Sequence, residues 1–316
     1  MTRGSACQRG RAPRTPSRRA TATAVSTVLI SALAAACSGA GGQPTPSPPG
    51  PTSSCHPGIS GAENWIMGGG ELSAAQSASP SSVRYAVGPA HLLVLLLRGQ
   101  TSSAGQQVAD FRSYAEFNKM IKQGTIPAGI HWVMYDNEQW PQTPADEQAD
   151  PVRYEQLFAR LAHRHGYKVI LAPAQDLVPG FDKASFDSGQ AVWQSYLSMG
   201  LATASARAAD IYEIQAQPYE IGVYRSRHAY ASFVAAAVAQ ARAANPSIVI
   251  YAGLSTQRVS NAAQLVQDYL ATRDLVEGYW LNIPRHDTPG PVALADQLFR
   301  DIPSSAAASA AACAGT

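Results

Sequence analysis

The chain has 316 residues, 46% of them hydrophobic and 15% charged, enough apolar material for one large domain or two ordinary ones. Its formal charge of +2 misleads, because the first 36 residues carry six arginines and no acid; without them 18 basic residues face 22 acidic ones, a net of −4. A mildly acidic chain with no basic stripe excludes nucleic acid as the expected partner.

The N-terminus has the layout of an export signal. An arginine-rich stretch leads into the apolar "TAVSTVLISALAAAC", residues 23–37, which is short for a membrane span. "LAAAC" resembles a bacterial lipobox, which implies cleavage after residue 36 and lipidation of Cys37. Free secretion after ordinary cleavage is the alternative. "SRRA" (17–20) resembles a twin-arginine signal only weakly. Residues 37–59 are rich in Pro, Gly and Ser and are expected to form a tether. The expected location is therefore the outer face of the cell membrane, with the lipid as the only membrane contact.

From residue 60 onward, short apolar strands alternate with amphipathic helices. "ENWIMGG" (63–69) is a weak first strand and "HLLVLLLRG" (91–99) a strong one, with the continuous apolarity of a strand covered on both faces. Asp110 is expected to cap a helix carrying Phe111, Tyr114, Phe117 and Ile121. "GIHWVMYDNE" (129–138) is the next strand. A helix then runs from Asp150 at its cap and Pro151 in its first turn to Gly166 at its stop. "YKVILAPAQD" (167–176), a helix over 190–209, and "DIYEIQAQ" (210–217) follow. Next come a helix over 228–244, "SIVIYAGLS" (247–255), a helix over 261–273, "GYWLNIP" (278–284) and a helix over 291–302. The Ala/Ser-rich tail, 304–316, lies outside the domain, whose expected limits are 60–303.

Seven strands, each followed by a helix, imply parallel pairing with right-handed crossovers. The expected fold is α/β, a (β/α)8 TIM-like barrel with one strand divergent or missing. A doubly wound open sheet is the alternative, disfavoured because no glycine-rich phosphate loop follows the first strand. An exported chain meets an oxidising compartment. Cys7 goes with the signal, and Cys55 and Cys313, one near each end of the folded part, are expected to pair. No metal is expected, since His163 and His165 are two apart and do not share a helix face. No organic cofactor is expected either.

Barrel sites lie at the C-terminal ends of the strands. Trp132, Met134, Asp136 and Glu138 share one face of their strand. Asp136 and Glu138 lie about 6–7 Å apart at Cα and are the first catalytic candidates. Glu213, Gln215 and Gln217 form an entirely polar face opposite Tyr212, Ile214 and Ala216. Buried polar groups need partners, so that face implies a hydrogen-bonded network or a wet pocket, with Glu213 a third catalytic candidate. Trp280 and Asn282 share a face of the last strand, and the tryptophan would serve as a platform for a sugar ring. Tyr219, Asp176 (or Gln175) and Arg98 complete the binding candidates. No nucleophilic serine elbow is present: "GLSTQ" is not G-x-S-x-G. Carboxylates, amides and an aromatic are the components of a carbohydrate site.

"YDNEQWPQTPADEQADP", "IQAQPYE", "AGLST" and "GYWLNIP" resemble segments of a family of secreted or lipid-anchored actinobacterial proteins. The resemblance runs from about Leu92 to Ile302 and implies a shared barrel without an activity. More distantly, the D-x-E of Asp136 and Glu138 is similar to the end of the DxxDxDxE signature of chitinase-like glycosidases. That similarity implies Glu138 as general acid and Asp136 orienting an acetamido group, with Gln217 or Tyr219 and Trp280 as sugar contacts. The signature's earlier aspartates are absent, and Met134 stands in one of their places. Two functions follow as expectations: a cell-surface glycoside hydrolase, or a non-catalytic lipoprotein that binds a glycan or another envelope component.

Overall fold

The computed structural model describes residues 64–87, 92–96, 100, 102–181, 193–220, 228–257 and 259–302. These belong to one compact unit, Cys55–Thr316. Arg98, the cysteines 37, 55 and 313, the signal, the tether and the tail lie outside the described residues.

Eight parallel strands close into a barrel in chain order. They are β1 (Asn64–Gly68), β2 (Leu92–Leu96), β3 (Gln106–Phe111), β4 (Trp132–Tyr135), β5 (Lys168–Leu171), β6 (Ile211–Ile214), β7 (Val249–Ser255) and β8 (Gly278–Asn282). Closure is made by β1 against β8, with Trp65 beside Tyr279 and Ile66 beside Trp280. Around the outside run α1 (Gly69–Ala78), α2 (Pro80–Ala86), α3 (Tyr114–Gln123), α4 (Ala145–Ala149) and α5 (Pro151–Arg164). They are followed by α6 (Trp193–Ser198), α7 (Leu201–Ala208), α8 (Ala229–Ala244), α9 (Ala262–Thr272) and α10 (Pro289–Asp301). The fold is the (β/α)8 barrel, and the doubly wound alternative is set aside.

The strand that the sequence pattern hides is β3. Its inward positions are Gln106, Val108 and Asp110, and only Val108 is apolar, so "QQVADF" lacks the signature of a buried strand. Asp110 therefore caps no helix. Ser113 does, accepting from the Glu116 amide at the start of α3, and Phe111 belongs to the strand. The helix expected over 190–209 is two helices, α6 and α7, separated at Gly200, whose φ of 77° suits glycine. Asp150 and Asn261 cap α5 and α9 as their side-chain chemistry dictates.

Strand alternation divides the apolar residues into two cores. The outer one lies between barrel and helices; Phe111, Tyr135, Phe158, Tyr212, Phe233 and Tyr279 belong to it. The inner one fills the barrel with Ile66, Leu93, Val108, Met134, Ile170 and Ile211, among others. Lys168 enters at the N-terminal end, 5.1 Å from the Trp132 ring. The inward positions are thus mainly apolar through the middle of the barrel, with Gln106 and Lys168 at its N-terminal end and polar groups gathering toward the C-terminal mouth.

Candidate active site

β4 ends at Tyr135, and the chain runs on through Asp136, whose amide donates to the Phe111 carbonyl, and Asn137, whose carbonyl accepts from the Ala174 amide, to Glu138. Tyr135 faces outward, stacked at 4.9 Å on Phe158. Its hydroxyl donates to Glu147 at 2.7 Å. The same buried Glu147 accepts from the Ser113 hydroxyl and from the amides of Tyr114 and Ala115, so one carboxylate both caps α3 and pins the end of β4. A rigid strand end sets the direction of the next inward side chain, Asp136.

Asp136 is 5% exposed. Its Oδ1 accepts from Gln215 Nε2 at 2.8 Å. That amide nitrogen also donates to the Ala172 carbonyl at 2.8 Å, which uses both of its protons. Gln175 donates in turn to the Gln215 carbonyl at 2.7 Å. A chain of amides thus crosses from the end of β5 to the end of β4 through the residue after β6. Asp176 Oδ1 accepts from the Gln139 amide at 3.0 Å and ties the loop after Glu138 to the one after β5.

Four carboxyl groups share this mouth, Asp110, Asp136, Glu138 and Asp176, and Glu213 lies beneath it. Burial and mutual repulsion raise the proton affinities of Asp110, Asp136, Glu138 and Glu213. Burial pushes Glu138 up to about 7, reinforced by Asp176 and Asp110 and opposed by Arg112 and the nearby Gln215 amide. Burial also raises Asp136 well above the usual carboxylate range, with Glu138, Asp110 and Glu213 adding to the effect. Asp110 is raised to about 6, mainly by burial, with Arg112 opposing. Glu213 is fully buried and raised by burial and by Glu138; neither of its carboxyl oxygens has a hydrogen-bond partner.

Two cavities open on either side of Glu138. One, of about 370 Å³, is an amide lobe, with the side chains of Gln139, Gln175, Gln215, Gln217, Gln257 and Asn282 among its walls. The other, of about 260 Å³, is a charged lobe, with Glu71, Asp110, Arg112, Asp136 and His286 among its walls. Glu138, Trp280 and Asn282 line both lobes and form the ridge between them. Gln217 reaches the amide lobe because β7 carries glycine at 253: a Cβ there would lie 2.2 Å from the Gln217 amide. In the charged lobe Arg112 lies 4.5 Å over the Trp140 ring. The Trp140 indole donates to Thr143, whose hydroxyl donates back to the Arg112 carbonyl.

Asp136, Glu138, Gln215, Gln217, Asp176 and Asn282 therefore converge as the sequence pattern suggested. Three candidates differ. Glu213 lies in the barrel interior one inward position below Gln215 and lines neither lobe. Tyr219 is 1% exposed and packs on Phe233 in the outer core, so it faces away from the cleft. Trp280 is 9% exposed, so it offers the cleft a small part of its ring rather than an open platform. Lining residues outside the sequence expectation include Asp110 and Arg112, with Gln139, Gln257, Glu71 and His286. Val108 and Asp110 alternate with Phe111 as strand positions do, but an aspartate just ahead of a helical apolar pattern also has the chemistry of a helix cap. His163 pairs with Asp210 at 2.9 Å. Among the described residues no group of three or more His, Cys, Asp or Glu side chains is disposed to hold a metal ion, and no helix is long and apolar enough to cross a membrane.

No protein-family model matches the chain, and no curated protein matches it. Solved structures match it at the level of the barrel. A Schiff-base-forming fructose-1,6-bisphosphate aldolase is 10% identical over 76% of this chain and 94% of its own, with a TM-score of 0.43. An archaeal fructose-1,6-bisphosphate aldolase is 9% identical over 75% and 92%, with a TM-score of 0.41. A class V chitinase from Pseudomonas fluorescens Pf-5 is 13% identical over 76% and 100%, with a TM-score of 0.45. These likenesses extend to the barrel and not to a reaction.

Proposed function

We propose that the chain is a glycoside hydrolase-like barrel in which Glu138 is the general acid. The observation that carries this reading is the position of Glu138: a carboxyl group with a pKa near 7, on the ridge between two polar lobes of one cleft. A glycan lying across the ridge would set a glycosidic oxygen beside a proton donor poised at neutral pH. As the C–O bond breaks, Glu138 gives its proton to the leaving oxygen. Water supplies the hydroxyl to the anomeric carbon, and its remaining proton returns to a carboxylate. Asp136, held by Gln215, is the partner that faces the developing positive charge. Glu213 acts from below as a buried acid, through its effect on Asp136 rather than by contact with substrate.

The amide lobe fits this reading. Side-chain amides both donate and accept, which suits vicinal hydroxyl groups. A lysine-dependent carbon–carbon reaction has less support: the described lysines are Lys119 and Lys122 on α3 and Lys168 at the N-terminal end of β5. We further propose an extracytoplasmic location on a lipid-modified Cys37, a reading that rests on the N-terminal sequence. Hydrolysis of a glycan by the wild-type barrel and its loss in Glu138→Gln test the catalytic assignment. Saturable glycan binding without turnover in either protein would move the assignment to a glycan-binding barrel.

A further inference from the structure

The two lobes differ in chemistry. The titratable walls of the amide lobe are Asp176 and the shared Glu138. The charged lobe holds four carboxyl groups, Glu71, Asp110, Asp136 and Glu138, against one guanidinium and one imidazole. Glu71 is fully engaged, accepting from the amides of Gly68 and Ile283. Asp136 has one oxygen committed to Gln215. Asp110 is different: its Oδ1 is buried and has no hydrogen-bond partner, although it lines the cavity. An unpartnered buried carboxyl oxygen is costly. Arg112 does not relieve it by an ion pair, and its guanidinium is instead held over the Trp140 ring. Beneath the mouth, the fully buried Glu213 leaves both of its oxygens without a partner, adding a further acid to the field around Asp136.

We infer that the charged lobe receives a sugar carrying a protonated amine, with Asp110 and Asp136 as its acceptors, while the amide lobe receives an uncharged sugar. This rests on the glycan-cleft reading above and adds the substrate class. An ammonium donates three hydrogen bonds and accepts none, which matches a wall where four carboxyl groups outnumber one guanidinium and one imidazole. An N-acetylated or hydroxylated sugar would offer those acceptors only neutral donors, without the charge-assisted contact an ammonium makes, and a uronic acid would meet like charge. The groups facing Asp110 are Arg112, Glu116, Asp136 and Glu138. Those facing Asp136 are Glu138, Asp110, Glu213 and Arg112. A bound cation lowers the proton affinity of these carboxyls, so binding near pH 6 releases protons.

The experiment uses calorimetric titration of the full chain as Glu138→Gln, which would keep the ligand intact. Hexamers of glucosamine, N-acetylglucosamine and glucose, and a galacturonate oligomer, serve as probes in two buffers of different ionisation heat. The expected result is glucosamine hexamer binding at least about tenfold tighter than the others, the effect of one charge-assisted contact, with net proton release. Asp110→Asn, an isosteric change whose folding is checked by its thermal transition, should remove that preference. Wild type should cut amino-sugar glycans in preference to neutral ones. Equal affinity for neutral and amino sugars, or tighter binding of the uronate, overturns the charge assignment. If wild type still cuts a neutral glycan, the hydrolase reading survives that failure. Neither binding nor cutting of any probe overturns the inference and the cleft reading together.

Discussion

Gln215 Nε2 donates to Asp136 Oδ1 at 2.8 Å and to the Ala172 carbonyl at 2.8 Å. The amide that follows β6 thereby fixes the carboxyl that follows β4, using the carbonyl that follows β5 as its second anchor. Three consecutive strand ends are locked into one hydrogen-bonded unit. Truncating the amide should free Asp136 while leaving the barrel closed. Gln215→Ala is expected to lower kcat by one to two orders of magnitude, in the range that loss of a positioning contact produces. It should cost about 1–3 kcal/mol of stability for the polar groups left unpaired. Steady-state kinetics and a denaturant titration check both, and an unchanged kcat would remove Gln215 from the positioning role.

The pH profile follows from Glu138. A general acid acts in its protonated form, and burial among carboxylates holds this one near 7. The ratio kcat/KM should therefore be sustained below that value and fall as pH rises through it, tenfold per unit at the limit. Neutralising Asp176, the largest electrostatic contributor after burial, should move the descending limb to lower pH in Asp176→Asn. A limb that stays in place would show that another group sets it.

Gly253 leaves room for the Gln217 side chain that lines the amide lobe. A methyl group there would fall 2.2 Å from the Gln217 amide, so that amide must leave its place against β7. Because the obstructed atoms belong to the end of a flexible side chain, Gly253→Ala should weaken ligand binding, raising KM several-fold, with a smaller effect on the melting temperature. A large loss of stability with unchanged KM would instead assign the glycine to packing.

Much of this arrangement was legible in the sequence. Apolar runs such as "LLVLL" and "YKVIL" have the patterning of strands covered on both faces, and the polar alternation of Glu213, Gln215 and Gln217 is unmistakable inside a buried sheet. What stayed hidden was polar for a physical reason. β3 turns Gln106 and Asp110 into the barrel, so its inward face resembles a loop. The loss of that strand carried Asp110 and Arg112 with it, and with them the charged half of the cleft. Tyr219 shows the converse limit: alternation fails one turn past β6, where a 3-10 turn over Gln217–Tyr219 rotates the tyrosine into the outer core.

A second buried acid lies away from the cleft. Glu155 on α5 is fully buried and accepts from the Ser205 hydroxyl on α7 at 2.8 Å, while its Oε1 has no partner. Burial raises its pKa to about 8. The folded state therefore binds a proton that the unfolded chain, with an ordinary glutamate pKa near 4.3, releases. Stability from this group is fully present below about pH 4 and is lost as pH rises toward 8. At about 1.4 kcal/mol per unit of displacement, the loss amounts to a few kcal/mol. Glu155→Gln should accordingly raise the melting temperature at pH 8 and change it little at pH 5. Equal effects at both pH values would show that Glu155 folds in without retaining its proton.

The central claim is that Glu138 is a general acid at a glycan cleft. Its most direct test is to incubate wild type and Glu138→Gln, as full chains, with bacterial and plant polysaccharides and with acetylated and de-acetylated chitin oligomers, reading products by mass spectrometry. Cleavage by wild type alone, with the variant still binding the same glycan, is the expected result. Equal cleavage by both proteins, or binding without cleavage by either, would contradict the claim.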